Sequence, residues 1–268
     1  STRKESSAAS DVYKRQSTTR SSKTGRDCSS LAQSREKLGV LIQVSNNEAR
    51  LSRIRDLIAT HRVPLDRQWE IYRYLHQHPE LSQAEEKTAA YLAGALRDMG
   101  TYTVYEGIGG HGLVGVMENG PGPTVLFRAD IDALPVFEET GVDFASSATG
   151  TARDGSATAV MHACGHDMHM TAGLGLASLM AATKSEWSGT FIALFQPAEE
   201  LACGAQAMID DGLADLIPTP DVCFGQHIVP GPAGQVMTMP GPALAGCDTI
   251  SITLTGRSAP VSYTHLTL

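Results

Sequence analysis

Residues 161–169 (MHACGHDMH) bring one thiol, three imidazoles and a carboxylate into a single short segment. Sulfur, nitrogen and oxygen donors together form the ligand set that a divalent transition metal, above all zinc, selects. A lone Cys164 or His166 would more often be an ordinary core residue. So many donors within a few positions instead predict a metal centre.

A second cluster, residues 195–200 (FQPAEE), follows an apolar run and ends in the paired carboxylates of Glu199 and Glu200. One interpretation is a solvated acidic helix start, which the helix dipole favours. The other is a division of labour, in which one carboxylate binds metal and its neighbour acts as general base on a water. A metal lowers the pKa of such a water to about 7, so a nearby glutamate can take its proton.

Two further segments carry candidate polar residues. Asp130 and Asp132 lie two positions apart, and therefore on one side of an extended chain. They could cap a strand end or pair with Arg128, or they could orient a metal-binding histidine from outside the ligand shell. His227 follows a short apolar run, which leaves open both a satisfied loop histidine and a metal ligand.

Hydrophobic periodicity and turn residues predict alternating helices and strands, and hence an α/β sheet with helices on its faces. Such folds place their sites at the carboxyl ends of strands. Asp66, after Pro64, is the predicted cap of the second helix. The predicted helices are residues 50–60, 67–78, 83–99, 165–182 and 205–211, and the predicted strands are 103–105, 113–117, 124–127, 190–195 and 222–225.

Residues 107–112 (GIGGHG) match the GxGxxG pattern of dinucleotide-binding loops. That pattern binds a pyrophosphate only when a helix follows it directly. Here a β-branched, strand-like run follows, so we expect a glycine-rich hairpin and no nucleotide site.

Composition narrows the class of protein. With 268 residues and 42% hydrophobic residues the chain can bury a sizeable core, and its net charge of −8 argues against nucleic-acid binding. No apolar run approaches the roughly 20 residues that span a bilayer, so no membrane association is expected. Five widely spaced cysteines favour free or metal-bound thiols in a reducing, cytoplasmic compartment.

The chain divides into four predicted segments. Residues 1–30 are rich in Ser, Thr, Arg and Lys, and residues 1–49 are expected to be disordered or non-native. Residues 50–245 form the N-terminal part of a catalytic metal-binding domain. Residues 246–260 begin a second domain with an alternating strand pattern from Asp248 onward. Residues 261–268 resemble translated adapter sequence, as do residues 11–16, and are expected to be a non-native tail.

The ordered motifs at 75–81 (LHQHPEL), 130–135, 162–169, 196–200 and 225–227 make the chain similar to a known family. Over residues 68–258 it resembles the metal-dependent aminoacylase/carboxypeptidase family of metallopeptidases. The resemblance is to the amidohydrolase branch that contains hippurate hydrolases and indole-acetyl-amino-acid hydrolases.

The resemblance implies a larger α/β catalytic domain, with a mixed sheet covered by helices on both faces, and a smaller inserted α/β domain that dimerises. The catalytic domain would bind two divalent ions, with zinc favoured by the sulfur ligand and manganese as the alternative. The parent protein would be a homodimer. The implied metal ligands are Cys164, His166, Glu200 and His227, with Glu199 as general base and Asp132 supporting the metal site.

The resemblance also marks departures from the family. Cys164 stands where many relatives carry a bridging aspartate. The chain ends before the family's further histidine ligand, so we expect an incomplete catalytic domain.

The expected function is cleavage of the amide bond of N-acyl-amino acids or short peptides by a metal-activated water. The first alternative is an inactive truncated fragment. The second is a hydrolase that uses Cys164 as nucleophile, with His162 or His166 as its base.

Overall fold

The computed structural model describes residues 47–241 together with Ile250 and Ile252. The chain separates into two compact units, Ser1–Ile228 and Val229–Leu268, and the elements below belong to the first. The predictions for residues 1–46 and for the tail 261–268 lie outside the described residues. Of the strand predicted after Asp248, only Ile250 and Ile252 are described, and neither lies in a strand. The domain boundaries therefore remain predictions.

The elements follow one another in the predicted order. The first described helix covers residues 47–61 and so begins three residues before the predicted helix start at residue 50. We label this helix α1. The others are α2 (Leu65–Gln77), α3 (Glu86–Asp98), β1 (Thr103–Ile108), β2 (Gly112–Asn119), β3 (Thr124–Asp130), β4 (Thr149–Thr151), β5 (Ala157–Ala159), α4 (His166–Ala182), β6 (Gly189–Gln196), α5 (Gly204–Asp210), α6 (Leu213–Leu216) and β7 (Val222–Gly225).

Five strands form one mixed sheet in the order β1-β2-β6-β3-β7. The β1, β2 and β6 strands are antiparallel neighbours, whereas β6, β3 and β7 run parallel. The predicted mixed sheet is confirmed. A separate two-stranded sheet pairs β4 with β5, which no sequence pattern indicated.

Alternate residues of the central strands face opposite layers, as the two-residue period of a strand requires. On one face Leu113 and Phe191 pack with Leu92 of α3 and Leu174 of α4. On the other face Val114 and its neighbours pack with Met208 of α5. Helices therefore cover both faces, as expected.

The glycine-rich turn is a hairpin between β1 and β2, as predicted. Gly109 has a φ of +63°, and a Cβ atom there would lie 2.4 Å from the backbone nitrogen of Met208. Close packing against α5 thus explains this glycine. The turn leads directly into β2, so it lacks the helix that a dinucleotide loop needs.

One capping prediction was wrong. Helix α2 begins at Leu65 with Pro64 at the N-cap position, and Asp66 lies inside the first turn. No side chain caps this helix end. Proline has the φ angle suited to a helix start, and Asp66 still acts favourably on the helix dipole.

Among the helices that the structure describes, none combines the length and the apolar character needed to cross a bilayer.

Candidate metal centre

Three neighbouring parallel strands end at the same edge of the sheet and bring most of the candidate residues together. β3 ends at Asp130, β6 at Gln196 and β7 at Gly225. The segments that follow carry Asp132, the Glu199–Glu200 pair and His227. The loop before α4 adds Cys164, and α4 itself begins with His166. The carboxyl ends of parallel strands are the usual location of sites in open α/β sheets.

His166 is held in one orientation by the backbone. Gly165 precedes it with a φ of +79°, and the Nδ1 atom of His166 donates to the carbonyl oxygen of Asp132 at 2.8 Å. The Nε2 atom is buried and has no hydrogen-bond partner among the described residues. It lies 3.8 Å from both Glu199 Oε2 and Glu200 Oε1. A histidine fixed through Nδ1 in this way presents Nε2 as a metal donor.

Cys164 and His227 form the second pair of donors. The thiol sulfur lies 3.4 Å from His227 Nε2, while His227 Nδ1 donates to the carbonyl oxygen of Ile228 at 2.6 Å. Burial, a hydrogen bond with Glu200 and the negative charge of Glu199 raise the pKa of the Cys164 thiol to about 12. The two glutamates place negative charge beside the thiol, which a cation would neutralise.

Asp132 links the donors to each other. Its Oδ2 atom accepts from the Ser82 hydroxyl at 2.6 Å and from the Glu200 amide at 3.0 Å. Its Oδ1 atom lies 3.4 Å from His166 Nδ1. Burial alone would raise the pKa of Asp132, but the hydrogen bonds from His166, Ser82 and Glu200 lower it. An ionised Asp132 therefore ties the glutamate loop to the histidine.

Asp130, for which the sequence allowed a pairing with Arg128 or with a histidine, forms a buried pair with His169. His169 Nδ1 donates to Asp130 Oδ1 at 2.6 Å, and its Nε2 accepts the amide of Ile228 at 2.9 Å. Burial opposes the charge on Asp130, but the His169 hydrogen bond and the charges of His166 and Arg128 lower its pKa to about 2. Because both ring nitrogens of His169 form hydrogen bonds, we infer that this side chain holds the backbone next to His227 in place. Its position three residues after His166, on the same helix face, was an available signal.

A third buried histidine lies behind the site. His76 Nδ1 contacts Asp167 Oδ2 at 2.6 Å, and its Nε2 contacts Glu138 Oε1 at 3.0 Å. Hydrogen bonds to Asp167 and Glu138 outweigh burial and raise the pKa of His76 to about 9. The ring therefore carries a positive charge between two carboxylates. No local pattern pointed to this network, since its members are 91 and 62 residues apart.

The donor set fits a divalent metal. Three buried polar atoms at the site have no partner among the described residues: His166 Nε2, Glu200 Oε1 and Asp132 Oδ1. Buried polar atoms are normally satisfied, so orphans that cluster in this way indicate a ligand. Among the described residues, three sets of side chains have donor atoms within 4.8 Å of one another, and all three include His166. They are Cys164–His166–His227, His166–Glu199–Glu200 and Asp130–His166–His169.

The comparisons with known proteins identify the family of this chain. Residues 126–268 match the model of peptidase family M20/M25/M40, and the chain belongs to this family. The predicted family is therefore confirmed.

Two relatives are named as a deacetylase and a carboxypeptidase. N-acetyl-L-cysteine deacetylase of Bacillus subtilis is 37% identical over 196 residues, which are 73% of this chain and 44% of that protein. Thermostable carboxypeptidase 2 of Saccharolobus solfataricus is 40% identical over 204 residues, which are 74% of this chain and 49% of the relative. The chain thus spans about half the length of the relatives it matches.

A solved structure agrees with the fold. The YXEP protein of Bacillus subtilis, described as a dinuclear metal-binding peptidase of the M20 family, is 34% identical with a TM-score of 0.54. The match covers 62% of this chain and 43% of that protein.

Proposed function

We propose that the protein containing this chain is a metal-dependent amidohydrolase that cleaves the amide bond of N-acyl-amino acids or short peptides. The observation that carries the proposal is the convergence of Cys164, His166, Glu199, Glu200 and His227 at one edge of the sheet. Relatives named as deacetylases and carboxypeptidases support this substrate class, because both reactions break an amide bond beside an amino acid.

Cys164, His166, Glu200 and His227 would hold the metal, with two ions expected and zinc preferred over manganese for the sulfur ligand. A bound ion would supply Lewis-acid polarisation of the scissile carbonyl and a lower pKa for water. Asp132 accepts hydrogen bonds from both the His166 ring and the Glu200 amide, and so holds these two groups close together.

Glu199 is the residue to which we assign proton transfer. Its side chain is 35% exposed and reaches His166 only at 3.8 Å, so its carboxylate stays open to water and substrate. In the proposed reaction Glu199 takes a proton from the attacking water and gives it to the nitrogen of the leaving amine. The amide C–N bond then breaks, releasing a carboxylate and an amine.

A cysteine hydrolase is the second candidate, and one observation favours it. Cys164 Sγ lies 3.4 Å from His227 Nε2, so the base would be His227 and not His162 or His166. A nucleophilic cysteine needs a lowered pKa, however, and here burial and the glutamates raise the pKa to about 12. A metal site accounts for the carboxylates of Glu199 and Glu200 beside Cys164, whereas a cysteine nucleophile does not.

Two variants test the proposal on the complete gene product. Glu199→Ala should retain zinc by elemental analysis while hydrolysis of N-acetyl-amino acids falls by roughly 10²–10⁴-fold, the usual contribution of a general base. Cys164→Ala should lose zinc itself, while Cys223→Ala, at an exposed thiol on β7, should not. Hydrolysis that survives both a chelator and the Glu199 change would refute the proposal.

We also propose a cytoplasmic location and a homodimeric parent protein. The described cysteines Cys164, Cys203 and Cys223 are free thiols, which supports a reducing compartment. The dimer rests on the family resemblance, and sedimentation of the complete gene product tests it.

A further inference from the structure

The loop between β6 and α5 carries Glu199 and Glu200 in an unusual backbone conformation. Ala198 has a φ of +47° and Ala202 a φ of +51°, both in the left-handed region that side-chain-bearing residues rarely adopt. A Cβ atom on Gly204 would lie 1.6 Å from the carbonyl oxygen of Pro197, so the loop folds tightly back on itself. Such strain persists only where surrounding contacts impose it.

Glu85 supplies one of those contacts from a distant part of the chain. Its Oε1 atom accepts the backbone amide of Ala198 at 2.8 Å, across 113 residues of sequence. Glu85 is fully buried, and its Oε2 atom has no partner among the described residues. It borders a cavity of about 190 Å³ that Pro197 and Cys203 also line.

A purely local role does not explain this carboxyl group. Glu85 occupies the N-cap position of α3, where an acidic side chain commonly bonds its own helix, yet no side chain caps this helix end. The side chain instead reaches across to the glutamate loop. Burial raises the pKa of Glu85, and the hydrogen bond from the Ala198 amide offsets part of that rise.

We propose that Glu85 is a positioning residue, which holds Ala198 in its left-handed conformation and so directs Glu199 and Glu200 towards His166. The proposal rests on the proposed metal-dependent function. Both glutamates lie 3.8 Å from His166 Nε2, and Ala198 is the residue immediately before them. Without the Glu85 contact the loop relaxes, and the Glu200 carboxylate leaves the donor cluster.

Calorimetric titration of zinc into the complete gene product tests the proposal. Glu85→Ala should weaken zinc binding by about tenfold or more, in the range typical of residues that orient ligands. Glu85→Gln retains an oxygen acceptor for the Ala198 amide and should bind zinc nearly as the wild type does. Glu86→Ala, at the exposed neighbouring position, is the matched control and should have no effect.

The Ala198→Gly background separates positioning from general stability. Glycine adopts a positive φ without a steric penalty, so the Glu85→Ala loss should shrink when residue 198 is glycine. Equal zinc affinity in Glu85→Ala and wild type would overturn the proposal. So would a Glu85→Gln loss as large as that of Glu85→Ala, or a loss unchanged by Ala198→Gly.

Amide hydrogen exchange in the wild-type chain covers the case in which Glu85→Ala does not fold. The Ala198 amide should be protected, and rapid exchange there would also overturn the proposal. A complete gene product that binds no zinc at all refutes the proposed function instead, while exchange at Ala198 still decides whether the Glu85 contact exists.

Discussion

The charged His76 network makes the stability of the chain depend on pH in a defined direction. His76 is buried between Asp167 and Glu138, and its pKa is about 9 against an ordinary 6.5. That difference corresponds to about 3 kcal/mol of preferential stabilisation of the folded chain by the protonated ring. The network joins α2 to the start of α4 and to the segment containing Glu138, so its loss should be felt in the free energy of unfolding.

The direction in which the free energy of unfolding changes with pH depends on which state, folded or unfolded, binds the proton more tightly. Below about pH 6.5 the ring is protonated in both the folded and the unfolded chain, and the contribution is fully present. Between about pH 6.5 and about 9 the unfolded chain loses the proton first, so the free energy of unfolding falls as pH rises. Above the folded-state pKa of about 9 the contribution is lost.

Urea unfolding of the wild type and of His76→Gln, at about pH 6.5 and again near pH 10, measures this effect. The free energy of unfolding of the wild type should exceed that of the variant by more at the lower pH. The difference between the two pH values should be about 3 kcal/mol. Trp69 is a suitable fluorescent probe, since it stacks on Tyr72 at 5.1 Å and Tyr72 contacts the His76 ring. The exposed His78→Gln is the matched control. A wild-type advantage that is the same at both pH values would refute the reasoning.

Two other predictions concern the residues that hold the donors. Asp132→Ala removes the acceptor shared by Ser82 and the Glu200 amide, so calorimetry should find zinc binding weakened by about 10–100-fold, with the exposed Asp154→Ala as control. Gly165→Ala and Gly120→Ala both place a side chain at a φ near +79° and should each cost about 1 kcal/mol in urea unfolding. Only the Gly165 change brings a Cβ to 3.0 Å from Ile228, next to His227, so only that variant should also weaken zinc binding. Equal zinc affinity in the two glycine variants would contradict this.

The sequence predicted those parts of the fold that depend on local pattern. Apolar runs bounded by glycine and proline located the five strands of the main sheet, because the alternation of faces and the turn residues are local properties. The strand after residues 107–112 likewise excluded the dinucleotide interpretation. The cluster at Cys164 and His166, and the paired glutamates after β6, stood out for their donor chemistry.

The remaining features depend on contacts between distant segments. The Glu85–Ala198 bond and the His76 network join residues that share no local pattern, so no spacing indicates them. The sequence also gives no indication of the left-handed φ of Ala198, because a positive φ is common for glycine but rare for alanine. Likewise, no sequence pattern shows that the carbonyl oxygen of Asp132 accepts the hydrogen bond that orients His166.

The parallel pairing of β3 with β6 and β7 has a kinetic consequence. Thr124 has to pair with Thr190, and Val125 with Val222, before the loops that follow these strands can come into contact. Contacts between such remote segments form slowly, because a long stretch of chain has to be closed first. The donors are therefore scattered until the core has consolidated, and an ion can stabilise the finished domain by mass action without serving as a template for its early folding steps.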